Sequence, residues 1–238
     1  MRKKMASLLI ITGLALAGWN GYSWFSGTSS GREALGQDDI VQNTDNPLSG
    51  SENQKPITTS ERGDSDGVAT DSTQAEPLPV KIDTKIKKAD VSPLRDYNEY
   101  AKGAEIGWLL IPELDMKYSI YWGTDDDTLN QGVGYHIGNF TTPPDGLRHT
   151  VLSGHRDTVF QELGELKAGS KMYVQFEDVQ YEYQIEKTWI TDAEDRTVIV
   201  EKDSPTLTLT TCYPFTFIGS APDRYIIEAP LIAKTPMN

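Results

Sequence analysis

No aromatic residue occurs between Ser26 and Asp96, whereas aromatic and β-branched residues recur throughout the chain from Tyr97 onward. A stretch crowded with Gly, Ser, Thr, Asp and Pro buries too little apolar surface to offset the entropy of ordering it. Any core is therefore confined to the last part of the chain, roughly 140 residues, which suffices for a single folding unit. The break predicts a disordered linker over 26–93 and one folded domain over 94–238.

Ahead of the linker, Arg2, Lys3 and Lys4 precede an uncharged run that ends in Trp19, Tyr22, Trp24 and Phe25. Met5 to Phe25 is about 21 residues, enough to cross a hydrocarbon core as a helix. The aromatics suit an interfacial belt, and the basic N-terminus stays cytoplasmic by the positive-inside rule. A cleaved signal peptide is the competing reading, with Ala15-Leu16-Ala17 as a small-x-small site. That site lies inside the apolar run rather than after it, so residues 1–25 are expected to be a retained single-pass membrane anchor. Everything beyond it, linker and domain, is then expected outside the cell.

The formal net charge of -13 argues against a nucleic-acid partner, which would need clustered Lys and Arg. The one short basic stretch, Lys85-Ile86-Lys87-Lys88, reads as a solvated part of the linker. A single cysteine excludes an internal disulfide and any multi-cysteine zinc site. His136, His149 and His155 lack the i,i+4 spacing of a helical metal pair.

The domain reads as all-β. Gly107–Ile111 is an apolar strand stopped by Pro112, and Tyr118–Tyr121 a second ended by Gly123. Asp125–Gln131 suits a short helix with acidic residues at its start. Further strands are predicted at Thr150–Ser153, Lys171–Phe176, Gln180–Ile190, Val198–Val200, Thr206–Thr211 and Asp223–Ala229, and helical spacing at Phe160, Leu163 and Leu166. About eight short strands separated by turns predict a closed barrel.

Three residues stand out chemically. Cys212 directly follows the Thr206–Thr211 strand, and alternation puts it on the Thr206/Thr208/Thr210 side, away from Leu207 and Leu209. A buried core thiol is the bland reading, and that side of the strand weakens it. His155 ends another strand, where a surface or capping role competes with acid/base chemistry. Arg224 opens the last strand and pairs either with Asp223 or Glu228, or faces the thiol to hold an oxyanion. Arg156 and Asp157 read as a polar rim.

The segments LSGHRDTVF (152–160) and LTLTTCYPFTFIGSAPDRYII (207–227) resemble the sortase family, class D in particular. GWLLIPELD (107–115) and QGVGYHIG (131–138) are similar to the family's early barrel segments, so the likeness spans roughly residues 104–232. Gly134-Tyr135-His136 and Pro143-Pro144-Asp145-Gly146 depart from the family's usual Gly-His and Pro-Gly. The resemblance implies a closed eight-stranded sortase-type barrel with short helices. It makes Cys212 the nucleophile, His155 the general acid/base, Arg224 the transition-state arginine and Thr211 a residue of the sorting-signal groove.

The reaction so implied cleaves a Leu-Pro-x-Thr-type C-terminal sorting signal of a surface protein and joins the threonyl carboxyl group to a peptidoglycan-precursor amine. It needs no metal or other cofactor. Pilus polymerisation and simple peptide hydrolysis are alternative uses of the same barrel, and a non-catalytic tethered binding domain is a remote one. Pilus-polymerising relatives usually carry an N-terminal lid and a C-terminal membrane segment, and no second apolar span follows the last predicted strand here.

Overall fold

Alternation in the sequence becomes alternation of burial. In the strand Lys171–Phe176 the side chains of Met172, Val174 and Phe176 are buried while Lys171, Tyr173 and Gln175 are not. The computed structural model describes residues 12–14, 18, 31–42, 95–216, 219 and 221–237. Its strands are β1 (Arg32–Ala34), β2 (Glu105–Ile111), β3 (Met116–Trp122), β4 (Val133–Tyr135), β5 (His149–Ser153), β6 (Lys171–Phe176), β7 (Val179–Gln184), β8 (Lys187–Asp192), β9 (Thr206–Tyr213) and β10 (Asp223–Pro236). They run in the order β1-β3-β2-β6-β7-β10-β9-β5-β4, and parallel pairing of β3 with β4 closes eight of them into a barrel. The predicted closed all-β barrel is therefore present.

The interior is filled from the strands by Leu109, Ile120, Leu152, Val174, Leu209 and Ile227, all at most 2% exposed. Val159, Phe160, Leu163 and Leu166 complete the same core from the connection after β5. Their helical spacing identified the buried face, but only a 3-10 turn, Leu163–Glu165, forms there. Gly164 sits in that turn, and a Cβ on it would come within 2.8 Å of the Phe215 ring. The predicted helix after Gly123 is α1 (Asp126–Leu129), capped by the Asp125 carboxylate, which accepts from the Thr128 amide.

Two predicted strands differ. Gln180–Ile190 is not one strand but β7 and β8, laid end to end along β10. Pro230 of β10 has no N–H to donate, and the register against β7 shifts between Leu231 and Ala233, so pairing breaks where the two strands meet. Val198–Val200 forms no strand. Val198 is buried, and Val200 instead offers its carbonyl to His149.

Residues 31–42 fall within the predicted linker, yet β1 pairs with β3 through Arg32↔Tyr118, Glu33↔Lys117 and Ala34↔Met116. Arg32 pairs with Glu162 at 3.0 Å and Lys117 with Asp39 at 3.2 Å. The Gln180 amide both accepts from the Val41 N–H and donates to the Val41 carbonyl. None of residues 31–42 is buried, so hydrophobicity does not register the segment; edge pairing and polar contacts hold it. Gly31 enters at φ +67°, and a Cβ there would lie 2.4 Å from the Gln131 carbonyl oxygen. The rest of the predicted linker, 26–30 and 43–93, lies outside the described residues. So does the predicted anchor except for 12–14 and 18, and no helix among the described residues is long and apolar enough to cross a membrane.

His149 is fully buried behind β9. Its Nδ1–H donates to the Val200 carbonyl at 2.8 Å, which leaves Nε2 to accept from the Thr208 hydroxyl at 2.8 Å. Burial pushes its pKa down to about 4. An unfolded histidine titrates near 6.5, so the unfolded chain takes up a proton first as the pH falls, and stability drops between about 6.5 and about 4. The expected loss from this residue is roughly 2–3 kcal/mol by pH 4.5. Urea denaturation at pH 7.0 and 4.5 checks it: His149→Asn should start less stable and lose correspondingly less over that interval. An equal loss in both proteins would show that His149 does not titrate on unfolding.

Candidate active site

β9 carries two faces with different neighbours. Leu207, Leu209 and Thr211 are buried on the core side, while Thr208, Thr210 and Cys212 share the other. The Ser153 and Thr210 hydroxyls meet at 3.1 Å on that second face. Cys212 is a free, half-buried thiol at the end of the row. It is thus neither part of the core nor adrift in a loop, as the alternation predicts.

The antiparallel ladder between β9 and β10 is unbroken from Asp223↔Tyr213 to Pro230↔Thr206, and it sets Arg224 directly opposite Cys212. Opposed residues of an antiparallel pair present their side chains to one face, with Cβ atoms about 4.5–5.5 Å apart. Arg224 Nη1 donates to the carbonyls of Asp223 at 3.0 Å and Ala221 at 3.3 Å. These bonds fix the guanidinium while Nε and Nη2 bond no other described residue. Asp223 and Glu228, the carboxylates that a surface arginine would seek, do not pair with it; Glu228 is held by Lys187 and Lys202.

β5 lies on the other flank of β9, in parallel register, with Ser153↔Thr210 as its last pair. The Gly154 N–H still donates to the Thr210 carbonyl at 3.2 Å, and the Thr211 hydroxyl donates to the Gly154 carbonyl at 2.8 Å. Carried past the strand end, the same register sets His155 level with Cys212. The β9–β10 pairing thus sets Arg224 opposite Cys212, and the segment that continues β5 carries His155 two residues past the end of the neighbouring strand.

Thr211, predicted to line a groove, is only 2% exposed with its hydroxyl committed to Gly154. In this state it serves the site by tying the residue before His155 to the cysteine strand. Tyr213, Phe215 and Tyr225 pack pairwise, with ring centroids 5.2–6.3 Å apart, and Phe215 and Tyr225 lie against the core. Arg156 is not the rim residue its sequence position suggests. It is buried, and its two terminal nitrogens donate to the carbonyls of Pro214 and Gly219. The sequence carries no signal for this beyond a cation directly after a strand-end histidine.

A separate cavity of about 330 Å³ is lined by Arg95, Tyr97, Tyr100, Trp122, Tyr135 and Thr141 among others, and none of His155, Cys212 or Arg224 reaches it. Among the described residues no three His, Cys, Asp or Glu side chains cluster as metal ligands would. A thiol opposed by a held guanidinium, with a histidine just past the end of the neighbouring strand, offers the groups that acyl transfer uses: nucleophile, oxyanion partner and proton carrier.

Comparison with known proteins gives a family to this arrangement. The sortase domain family model matches residues 109–232. Sortase D of Bacillus subtilis (strain 168) is 31% identical over 228 residues, 95% of this chain and 97% of that protein. The catalytic domain of B. anthracis SrtD is 51% identical, with a TM-score of 0.52, covering 62% of this chain and all of that one. Sortase C of Clostridium perfringens, solved with the C-terminal cell wall sorting motif, is 27% identical with a TM-score of 0.53, covering 59% of this chain and 77% of that one.

Proposed function

The chain belongs to the sortase family of cysteine transpeptidases, and on that footing we propose that it anchors surface proteins to the cell wall, in the manner of a class D sortase. The Cys212 thiolate attacks the threonyl carbonyl of a Leu-Pro-x-Thr-type C-terminal sorting signal, Arg224 holds the oxyanion, and His155 protonates the leaving amine. A peptidoglycan-precursor amine then attacks the thioester, with His155 as base, and releases Cys212. Thr211 supports the groove from beneath. In this reading residues 1–25 anchor the protein in the cell membrane, and the domain over 94–238, with 31–42 laid against it, works on the extracellular side.

The observation that supports the reading is the β9–β10 register, which has Arg224 opposite Cys212, together with the β5–β9 pairing, whose continuation two residues past Ser153 leads to His155. The sorting motif bound to the clostridial sortase C supports the choice of substrate class. The test incubates the full chain with a library of Leu-Pro-x-Thr-x peptides and a panel of amines that includes triglycine and diaminopimelate. Mass spectrometry should show products cut after threonine and extended by the amine. Cleavage with no amine incorporated, at any amine concentration, would replace transpeptidation by hydrolysis.

A further inference from the structure

Three groups delivered by three strands are only as well placed as the segments that carry them past the strand ends. β5 stops at Ser153, two residues short of His155. Beyond it, Gly154 is still tied to Thr210 and Thr211 of the cysteine strand, but the His155 carbonyl accepts, among the described residues, only from the Thr158 and Phe160 amides of the following turn. On the other side, Cys212 and Arg224 are joined through the β9–β10 connection.

Arg156 spans this gap. It directly follows His155 and is only 8% exposed. Its Nη1 donates to the Pro214 carbonyl at 3.1 Å and its Nη2 to the Gly219 carbonyl at 2.6 Å. Pro214 lies two residues after Cys212 and Gly219 five residues before Arg224, so one guanidinium holds two points of the chain between these groups. The rigid planar fork suits this task, because two donors at fixed separation define the position of both carbonyls. Charge-assisted bonds to carbonyls also offset part of the cost of desolvating the cation.

We infer that Arg156 is a positioning residue of this enzyme: it locks the connection between Cys212 and Arg224 onto the segment that carries His155. The inference rests on the assignment of those three residues as the catalytic groups. A displacement of about 1 Å at such groups costs on the order of a hundredfold in rate, so loosening the lock slows the chemistry while leaving substrate binding much less affected.

The test uses the full chain, with the best peptide and amine found above. Arg156→Met should lower kcat about 30- to 100-fold, with KM within about threefold and both limbs of the pH–rate profile unmoved. Arg156→Lys, a point charge able to reach one carbonyl, should lose about tenfold. Arg156→Gly should regain at least about tenfold in kcat when ethylguanidinium is added, an effect that a purely structural role does not produce. If Arg156→Met does not fold, the Lys variant and the rescue decide. A folded Arg156→Met with wild-type kcat, or losses that follow the unfolded fraction with no rescue, overturns the inference. One readout needs no substrate: the Phe215 and Thr216 amides should exchange faster in Arg156→Met. Unchanged exchange contradicts the lock even where the peptide choice has failed, whereas a wild-type chain that transfers nothing contradicts only the substrate reading.

Discussion

Cys212→Ala is expected to fold normally and to cleave no sorting peptide, a loss of at least about a thousandfold, since the sequence holds no second thiol to form the thioester. Cys212→Ser should be nearly as inactive, because a hydroxyl at this site ionises far less readily than a thiol. The two readings of this cysteine predict opposite patterns. A core thiol cut to alanine would leave a cavity and lower stability while chemistry continued elsewhere. Here Cys212 is half-buried on the face opposite Leu207 and Leu209, so truncation should change stability by less than about 1 kcal/mol. Thermal melting together with peptide cleavage separates the cases in one preparation.

Arg224→Met comes second in size. Removing a donor aimed at a developing oxyanion typically costs about a hundred- to a thousandfold in kcat. The loss should fall on kcat rather than KM, because the oxyanion exists only at the tetrahedral stage. Arg224→Lys should recover little: an ammonium has no planar fork and cannot bond the Asp223 and Ala221 carbonyls while also presenting a donor to the thiol side. If Arg224 were merely a surface cation, Met would be silent in both parameters. Steady-state kinetics on a fluorogenic sorting peptide measures the difference.

The alternation Leu207/Leu209 against Thr206/Thr208/Thr210 already placed Cys212 on the non-core face, because a strand's side chains have a period of two and no irregularity interrupts β9. The barrel was legible because about eight short apolar or alternating runs are separated by turn residues. What periodicity does not encode is which strand lies beside which. That Arg224 opposes Cys212 was a possibility in the sequence and became a pairing only in the fold.

The errors have physical causes as well. β1 adds no buried side chain, so composition placed it in the linker, although its backbone completes the edge of β3 that β4 leaves open. The break between β7 and β8 is set by a proline on a different strand, Pro230, which no local pattern in 180–190 records. β4 was hidden because Val133-Gly134-Tyr135 is short and contains a glycine. Arg156 reads as rim in the sequence because arginines are usually exposed, and the carbonyls of Pro214 and Gly219 help to make its burial tolerable.

The most direct test of Cys212 as the nucleophile is the intact mass of the full chain after brief incubation with a Leu-Pro-x-Thr-x peptide and no added amine. The expected result is a new species heavier by the acyl fragment that ends in threonine. Peptide mapping should place it on Cys212, hydroxylamine should remove it, and Cys212→Ala should not form it. Cleavage of the peptide with no adduct in the wild type, or with equal efficiency in Cys212→Ala, would contradict the mechanism.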